Sequence, residues 1–137
     1  MSVNISKRTE NPLEVHVRAV ELAAYTYKIC DNEKVFKPIH KGLVIKIEEI
    51  VTDIYCKAWY ANNIRVKDAD SWAERARLQK QAERLCAELL CVINIAARVF
   101  HLTAKRVKYW GGRALKVQNL LKAWHESDCR RYDKYKE

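Results

Sequence analysis

Basic side chains and a tyrosine are concentrated in one 12-residue stretch, KRVKYWGGRALK, at positions 105–116. Its basic residues are Lys105, Arg106, Lys108, Arg113 and Lys116. Lysine and arginine neutralise backbone phosphates, and a ring such as that of Tyr109 can stack on a base. Arg130 and Arg131 continue the positive charge further along the chain. The pattern favours binding of a polyanion by these eight residues, although a solvated helix face has the same composition.

The net charge of +9 comes from 26 basic and 17 acidic side chains, and it is unevenly distributed. Residues 105–137 carry 10 basic and 4 acidic side chains, whereas residues 1–33 carry 4 basic and 5 acidic ones. Such a field attracts nucleic acid, an acidic protein or anionic lipid. Charge alone does not choose among these three partners.

The residue patterns of common enzyme and metal sites are missing from the sequence. The four histidines are His16, His40, His101 and His125. None belongs to the Glu-x-x-His pairs of di-iron bundles, and HESDC at 125–129 lacks the second histidine of HExxH. We therefore predict a non-enzymatic protein without metal or cofactor, whose histidines lie on the surface or at helix ends. A triad assembled from distant residues is the alternative.

Cysteine usage and the polar start of the chain indicate a reducing compartment. The cysteines are Cys30, Cys56, Cys86, Cys91 and Cys129. Their odd number and the absence of CxxC or CxH pairs favour small buried hydrophobes over disulfides or zinc ligands. MSVNISKRTE does not resemble a signal peptide, and charges interrupt every apolar run. We expect a cytoplasmic protein that does not enter a membrane.

Apolar periodicity predicts the elements that position these residues. Three glycines and two prolines leave few places to turn, and no segment has the alternation of a strand. The predicted helices cover about 13–31, 40–64, 71–101 and 103–134. Four amphipathic helices with short connections predict an all-α, antiparallel up-down four-helix bundle, formed by a single domain over residues 1–137.

The inward faces follow from the spacing of apolar residues. In the first helix we predict an inward stripe formed by Leu13, Val17, Val20, Ala24 and Tyr27. Ser71 with Glu74 matches the capping box of a helix start, and Thr103 is the predicted cap of the fourth helix. The pair Asn62–Asn63 is expected at a frayed, left-handed helix end.

In the fourth helix, Val107, Trp110 and Trp124 fall on the inward face, so Trp110 is expected in the core. The outward face then carries lysines, Tyr109 and Gly112. Each helical glycine costs about 1 kcal/mol relative to alanine. We expect Gly111 to admit a neighbouring helix and Gly112 to admit a partner; a slight kink, or simple tolerance of glycine on an exposed face, is the alternative.

The second helix has more aromatic residues than one narrow face needs, namely Tyr55, Trp59 and Tyr60. They favour a second apolar surface for subunit contact. Alternatively, this wide face covers the connector at 32–40, in which Phe36 is expected to contact the core.

Six segments resemble a known family in their content and order. They are FKP at 36–38, WYANN at 59–63, RLQKQAERLC at 77–86, INIAARVFHL at 93–102, RVKYWGG at 106–112 and LLKAWHESDCRRY at 120–132. Together they resemble the accessory variability determinant (Avd) proteins of diversity-generating retroelements and the related proteins encoded in intervening sequences of bacterial 23S ribosomal RNA genes.

The resemblance implies a bacterial or phage-encoded four-helix bundle that assembles into a homopentameric ring with a basic surface. In the retroelements such a ring associates with the reverse transcriptase and template RNA and supports mutagenic cDNA synthesis. The alternative is the ribosomal branch, acting as a protein-interaction module without direct RNA contact.

Overall fold

The computed structural model describes residues 12–135, which form four helices and no strand. The helices are α1 (Pro12–Cys30), α2 (Lys41–Asn63), α3 (Ala69–Val99) and α4 (Ala104–Arg131). Short 3-10 turns at Pro38–His40 and Asp133–Tyr135 precede α2 and follow α4. The all-helical prediction is confirmed for this part of the chain. Residues 1–11 and 136–137 of the predicted domain lie outside the described residues.

The four helices form a bundle, because each packs against the next along the chain and α4 also packs against α1. The largest side chains of the core are Trp110 and Trp124, both on α4 and both buried. The Trp110 indole Nε1 donates a hydrogen bond to the Thr26 hydroxyl at 3.0 Å, which satisfies its polar atom inside the core. The prediction that Trp110 is a core residue is therefore confirmed. Among residues 12–135, no helix is both long and apolar enough to cross a bilayer.

The predicted inward face of α1 is wrong. The predicted stripe from Leu13 to Tyr27 lies on the outside, and Leu13 itself is 67% exposed. The buried residues of α1 are instead Val15, Ala19, Leu22, Thr26, Ile29 and Cys30. The two stripes have the same 4, 3, 4, 3 spacing and differ by two residues, which rotates the helix by about 200°. Thus α1 has two apolar faces, and only one of them packs within the bundle.

The connector between α1 and α2 packs on α3 and α4. Phe36 is buried as predicted, and its ring centroid lies 4.9 Å from that of Phe100 and 6.1 Å from that of Trp110. Trp59 is 18 residues beyond the start of α2, or about 27 Å along the helix. The alternative in which the aromatic residues of α2 cover this connector is therefore wrong.

The predicted second apolar surface on α2 is smaller than expected. Trp59 and Tyr60 are 47% and 54% exposed. Tyr55 instead packs against the core and makes an edge-to-face contact with His16. Only two of the three aromatic residues are therefore available at the surface.

The helix ends correct two further predictions. The N-cap of α3 is Asp68, whose carboxylate accepts a hydrogen bond from the Ser71 amide at 2.8 Å while Ser71 Oγ accepts one from the Asp68 amide. Ser71 is thus the third residue of α3, and Glu74 pairs with Arg77 instead of closing a capping box. Thr103 caps α4 as predicted.

Left-handed geometry occurs at His101, with φ of 53°, in the turn after α3. It was expected at Asn62 and Asn63, but α2 ends at Asn63 and the residue after it has extended backbone geometry. The left-handed residue thus lies in the short connection between α3 and α4, and not at the end of α2.

Two histidines and two cysteines depart from their predicted environments. His16 is half-buried between Tyr55 and Trp124, and His125 is half-buried in a polar cluster. Cys91 and Cys129 are exposed, whereas Cys30 and Cys86 are buried as expected. Half of the histidines therefore pack against interior groups and do not simply end helices.

Candidate functional site

An open groove of about 630 Å³ runs along the N-terminal half of α4, where it meets α1. Its lining residues are Arg18, Lys105, Lys108, Tyr109, Gly112, Arg113 and Lys116. We call this surface the basic groove. It brings together five of the eight residues predicted to bind a polyanion, adds Arg18 from α1, and has no acidic residue in its lining.

The charge of the basic groove comes chiefly from three groove lysines, Lys105, Lys108 and Lys116. All three are exposed, and none forms an ion pair with another of the described residues. Arg18 differs, because its guanidinium contacts Glu14 at 3.0 Å and Glu21 at 2.8 Å. These contacts raise the pKa of Arg18, first through the hydrogen bond to Glu14. The positive field at the groove is therefore largely uncompensated at the lysines and compensated at Arg18.

Arg113 organises the aromatic wall of the groove. Its guanidinium carbon lies 4.8 Å from the ring centroid of Tyr109 and 5.7 Å from that of Tyr25, and the two rings pack edge to face. Arg113 also donates a hydrogen bond to the Tyr109 hydroxyl and lies 3.9 Å from Glu21. These contacts hold the Tyr109 ring in place, while about half of the residue remains exposed. Arg113 is thus a positioning residue for the ring as well as a cation.

The positive end of α4 adds to this field. The first turn begins at Ala104, contains no acidic residue and carries Lys105 and Arg106, although the helix dipole disfavours cations at this end. Thr103 Oγ1 accepts from the Arg106 amide at 3.1 Å, which keeps the helix start in place without adding negative charge. An anion bound near Lys105 and Lys108 would therefore also lie close to the positive end of the helix dipole.

The glycine pair has only part of the predicted role. A β-carbon at Gly111 would meet the Leu90 side chain at 3.8 Å, an ordinary contact, so close approach of a neighbouring helix does not explain this glycine. A β-carbon at Gly112 would meet nothing within 4 Å. Gly112 lines the basic groove and leaves space between Tyr109 and Lys116. Only Gly112 therefore fits the expectation of an opening toward a partner.

The other three predicted site residues lie outside the basic groove. Arg106 is half-buried, and its charge acts on Tyr25 and Cys30 of α1. Arg130 and Arg131 are exposed at the far end of α4, about 21 Å or more along the helix from Lys116. Arg131 lines a separate groove beside Arg65 and Tyr132. The predicted residues therefore divide into one cluster of five and three separate positions.

A buried polar cluster between α3 and α4 was not predicted from the sequence. The Arg75 Nε donates to Asp128 Oδ2 at 2.7 Å, and Gln79 Nε2 donates to the same oxygen at 2.7 Å. Arg75 also donates to the carbonyl oxygens of Ala61 and Ile64 at 3.3 Å, and its guanidinium lies over the Trp124 ring. These bonds join the end of α2 to α3 and α4, which is a structural role.

Two charged residues at inward positions of the apolar repeat indicate this cluster in the sequence. Arg75 lies three residues before Leu78, and Asp128 lies four residues after Trp124, so both continue inward stripes. A charge at such a position needs an opposite charge nearby. Among residues 12–135, no group of three or more His, Cys, Asp or Glu side chains has metal-binding geometry.

Comparison with known proteins identifies no relative, since no family model, curated protein or solved structure matches this chain.

Proposed function

We propose that the chain is a non-enzymatic, polyanion-binding four-helix protein whose basic groove contacts single-stranded RNA. The observation that carries the proposal is the meeting of three unpaired lysines with a half-exposed Tyr109 in one groove. The lysines would neutralise successive phosphates, and the tyrosine would stack on a base between them. Arg113 supports the ring, and Gly112 leaves space for the strand beside it.

More specifically, we propose an accessory protein of a diversity-generating retroelement, which binds the reverse transcriptase and template RNA and supports mutagenic cDNA synthesis. Its support is the resemblance of six segments to that family, together with the charge of α4. The exposed Arg130 and Arg131 are then a second positive site, at the opposite end of α4, for the same RNA or for the polymerase. This protein acts in the cytoplasm of a bacterium.

We also propose that the helices run antiparallel and that copies of the chain assemble into a homopentameric ring. His16 contacts Tyr55, whereas Tyr27, further along α1, contacts the earlier residue Thr52 of α2, and this order supports an antiparallel pair.

The outer stripe of α1 has the spacing of a helix–helix seam and is exposed, which suits a subunit contact. Light scattering tests the ring: we expect five chains, and a strict monomer would contradict it.

The test of the RNA site compares two triple variants with the same loss of charge. The first carries Lys105→Gln, Lys108→Gln and Lys116→Gln in the basic groove. The control carries Lys28→Gln, Lys41→Gln and Lys122→Gln, three exposed lysines on different helices with no ion pair among the described residues. We expect the groove variant to bind a short single-stranded RNA at least about tenfold more weakly than the control variant, because close phosphate contacts exceed the effect of net charge. Equal affinities would exclude the groove as the RNA site.

The second candidate function is a protein-interaction module of the ribosomal branch that recognises an acidic protein surface. The observation that favours it is that both arginines of the basic groove already lie near a carboxylate of this chain, Arg18 at 2.8 Å and Arg113 at 3.9 Å from Glu21. A gel-shift experiment at low salt distinguishes the two. A shift by the purified protein supports direct RNA contact, whereas a shift only after addition of polymerase supports the interaction module.

A further inference from the structure

A chain of hydrogen bonds leads from the buried cluster to an exposed cysteine near the end of α4. His125 Nδ1 lies 2.8 Å from Gln79 Oε1, and His125 Nε2 lies 3.4 Å from Cys129 Sγ. The ring of Trp72 stacks on His125 with an interplanar angle of 15° and a centroid distance of 6.0 Å. The imidazole is thus fixed between Gln79, Trp72 and the thiol, and the thiol itself faces solvent.

The buried ion pair determines which nitrogen of His125 carries the proton. The Asp128 carboxylate is paired with Arg75 and only accepts hydrogen bonds, so the amide nitrogen of Gln79 must face it. The amide oxygen of Gln79 therefore faces His125, and Nδ1 must be the protonated nitrogen. In the neutral ring Nε2 is then an acceptor, and the Cys129 thiol donates its proton toward it.

We propose that Cys129 is a reactive thiol that exchanges with small-molecule disulfides, with His125 as the base that accepts the thiol proton. A nucleophile, a base within hydrogen-bond reach and a third group that orients the base form the arrangement that activates thiols. Burial, and to a lesser extent Lys80, lower the pKa of His125, whereas Glu83, Asp128 and Glu126 act in the opposite direction. The imidazole is therefore neutral, and able to accept a proton, at neutral pH.

The reaction is a balanced exchange. As Cys129 Sγ attacks one sulfur of the disulfide, its proton moves to His125 Nε2 and the sulfur–sulfur bond of the reagent breaks. The leaving thiolate then takes the proton from His125 and departs as a thiol. The product is a mixed disulfide on Cys129, and the oxidation of its sulfur is balanced by the reduction of the leaving sulfur.

The chain supplies its own controls. Cys91 is also exposed, but its thiol has no hydrogen-bond partner among the described residues. Cys30 and Cys86 are buried, and desolvation raises the pKa of each thiol to about 12, so both should be inert while the bundle is folded. In one reaction mixture, Cys129 therefore measures the assisted rate, Cys91 measures the unassisted rate, and the inertness of Cys30 and Cys86 shows that the bundle is folded.

The experiment treats the reduced full chain with 2-hydroxyethyl disulfide, a neutral reagent that the positive charge of the protein does not attract. Peptide mass spectrometry follows the modification of each cysteine with time at pH 7. We expect Cys129 to react at least about tenfold faster than Cys91, a bound set below the roughly 100-fold lower end of general-base assistance. Equal rates at the two cysteines would overturn the proposal.

The variant His125→Asn removes the proposed base while keeping the hydrogen bond from residue 125 to Gln79. Asparagine keeps a donor in the place of Nδ1 for Gln79 but removes Nε2. We expect Cys129 to slow to the rate of Cys91 in the same molecule, with Cys91 unchanged; an undiminished rate at Cys129 would also overturn the proposal. If Cys86 becomes reactive, the variant has lost its fold, and the pH profile of the wild-type chain decides instead.

In that pH profile, the ratio of the modification rate of Cys129 to that of Cys91 should increase as the pH falls from 8 to 6. An unassisted thiol loses thiolate about tenfold per pH unit below a pKa of about 8.5, whereas the neutral fraction of His125 falls much less, because burial lowers its pKa from the usual 6.5. A constant ratio of the two rates between pH 8 and pH 6 would contradict assistance by His125. The proposal does not depend on the basic groove, which lies near the other end of α4, and the assay uses the protein without RNA.

Discussion

The ion pair between Arg75 and Asp128 gives the sharpest prediction for the stability of the fold. The side chains are 7% and 2% exposed, and 2.7 Å separates Nε from Oδ2. The substitution Asp128→Leu leaves the buried Arg75 charge without a counter-charge, although its bonds to the Ala61 and Ile64 carbonyl oxygens remain. Breaking such a pair costs about 3–5 kcal/mol, a large part of the total stability of a domain of this size. Urea denaturation followed by tryptophan fluorescence measures the loss.

Two comparisons show whether burial is the cause. The double variant Arg75→Met with Asp128→Leu removes both charges, and we expect it to recover most of the lost stability, since apolar replacement of a buried pair is nearly neutral. The control Glu74→Gln breaks the exposed pair with Arg77 and should have a much smaller effect, because solvent already screens that pair. A single Asp128→Leu variant as stable as the wild-type chain, or a double variant less stable than the single one, would refute the reasoning.

Three further variants test other parts of the structure. Gly112→Ala should raise the free energy of unfolding by about 1 kcal/mol, because the new β-carbon enters open space in a helix; urea denaturation would show no gain if Gly112 were not helical in solution. Thr103→Ala should lower that energy by about 1 kcal/mol through loss of the cap on the Arg106 amide, and an unchanged midpoint would contradict this cap. His125→Asn should reduce the loss of stability as the pH falls below about 6.5, because the lowered pKa of His125 in the folded chain lets the unfolded chain take up the proton first. Equal losses in variant and wild type between pH 7.5 and 5.5 would contradict the third prediction.

Helix α1 shows what periodicity can and cannot predict. Its existence was predictable, because apolar residues repeat at helical spacing along its whole length. Its inward face was not, because two stripes with identical spacing lie on opposite sides. The buried stripe contains Thr26, a polar residue that lowers the apparent hydrophobicity of the stripe. Its hydroxyl donates to the Leu22 carbonyl and accepts from Trp110 Nε1 of α4, so the buried oxygen is fully paired. The second of these partners lies 84 positions away in the chain and could not be read from the spacing along α1.

The candidate site was predictable to the extent that it lies on one helix. The spacing along α4 placed Lys105, Lys108, Tyr109 and Lys116 on one outward face, and the structure places all four in the basic groove. The part contributed by α1 was not predictable, since Arg18 belongs to the helix whose orientation was misassigned. Arg113 was predicted as a simple cation, but its contacts with two tyrosines come from tertiary packing.

The salt dependence of RNA binding tests the proposed function most directly. Each lysine that neutralises a phosphate on a single strand contributes about 0.7 to the slope of log affinity against log salt concentration. If the three groove lysines contact the backbone, the variant Lys105→Gln, Lys108→Gln and Lys116→Gln should lower the magnitude of that slope by about 2. The control variant at Lys28, Lys41 and Lys122 should keep the wild-type slope. Identical slopes for the two variants would contradict RNA binding in the basic groove.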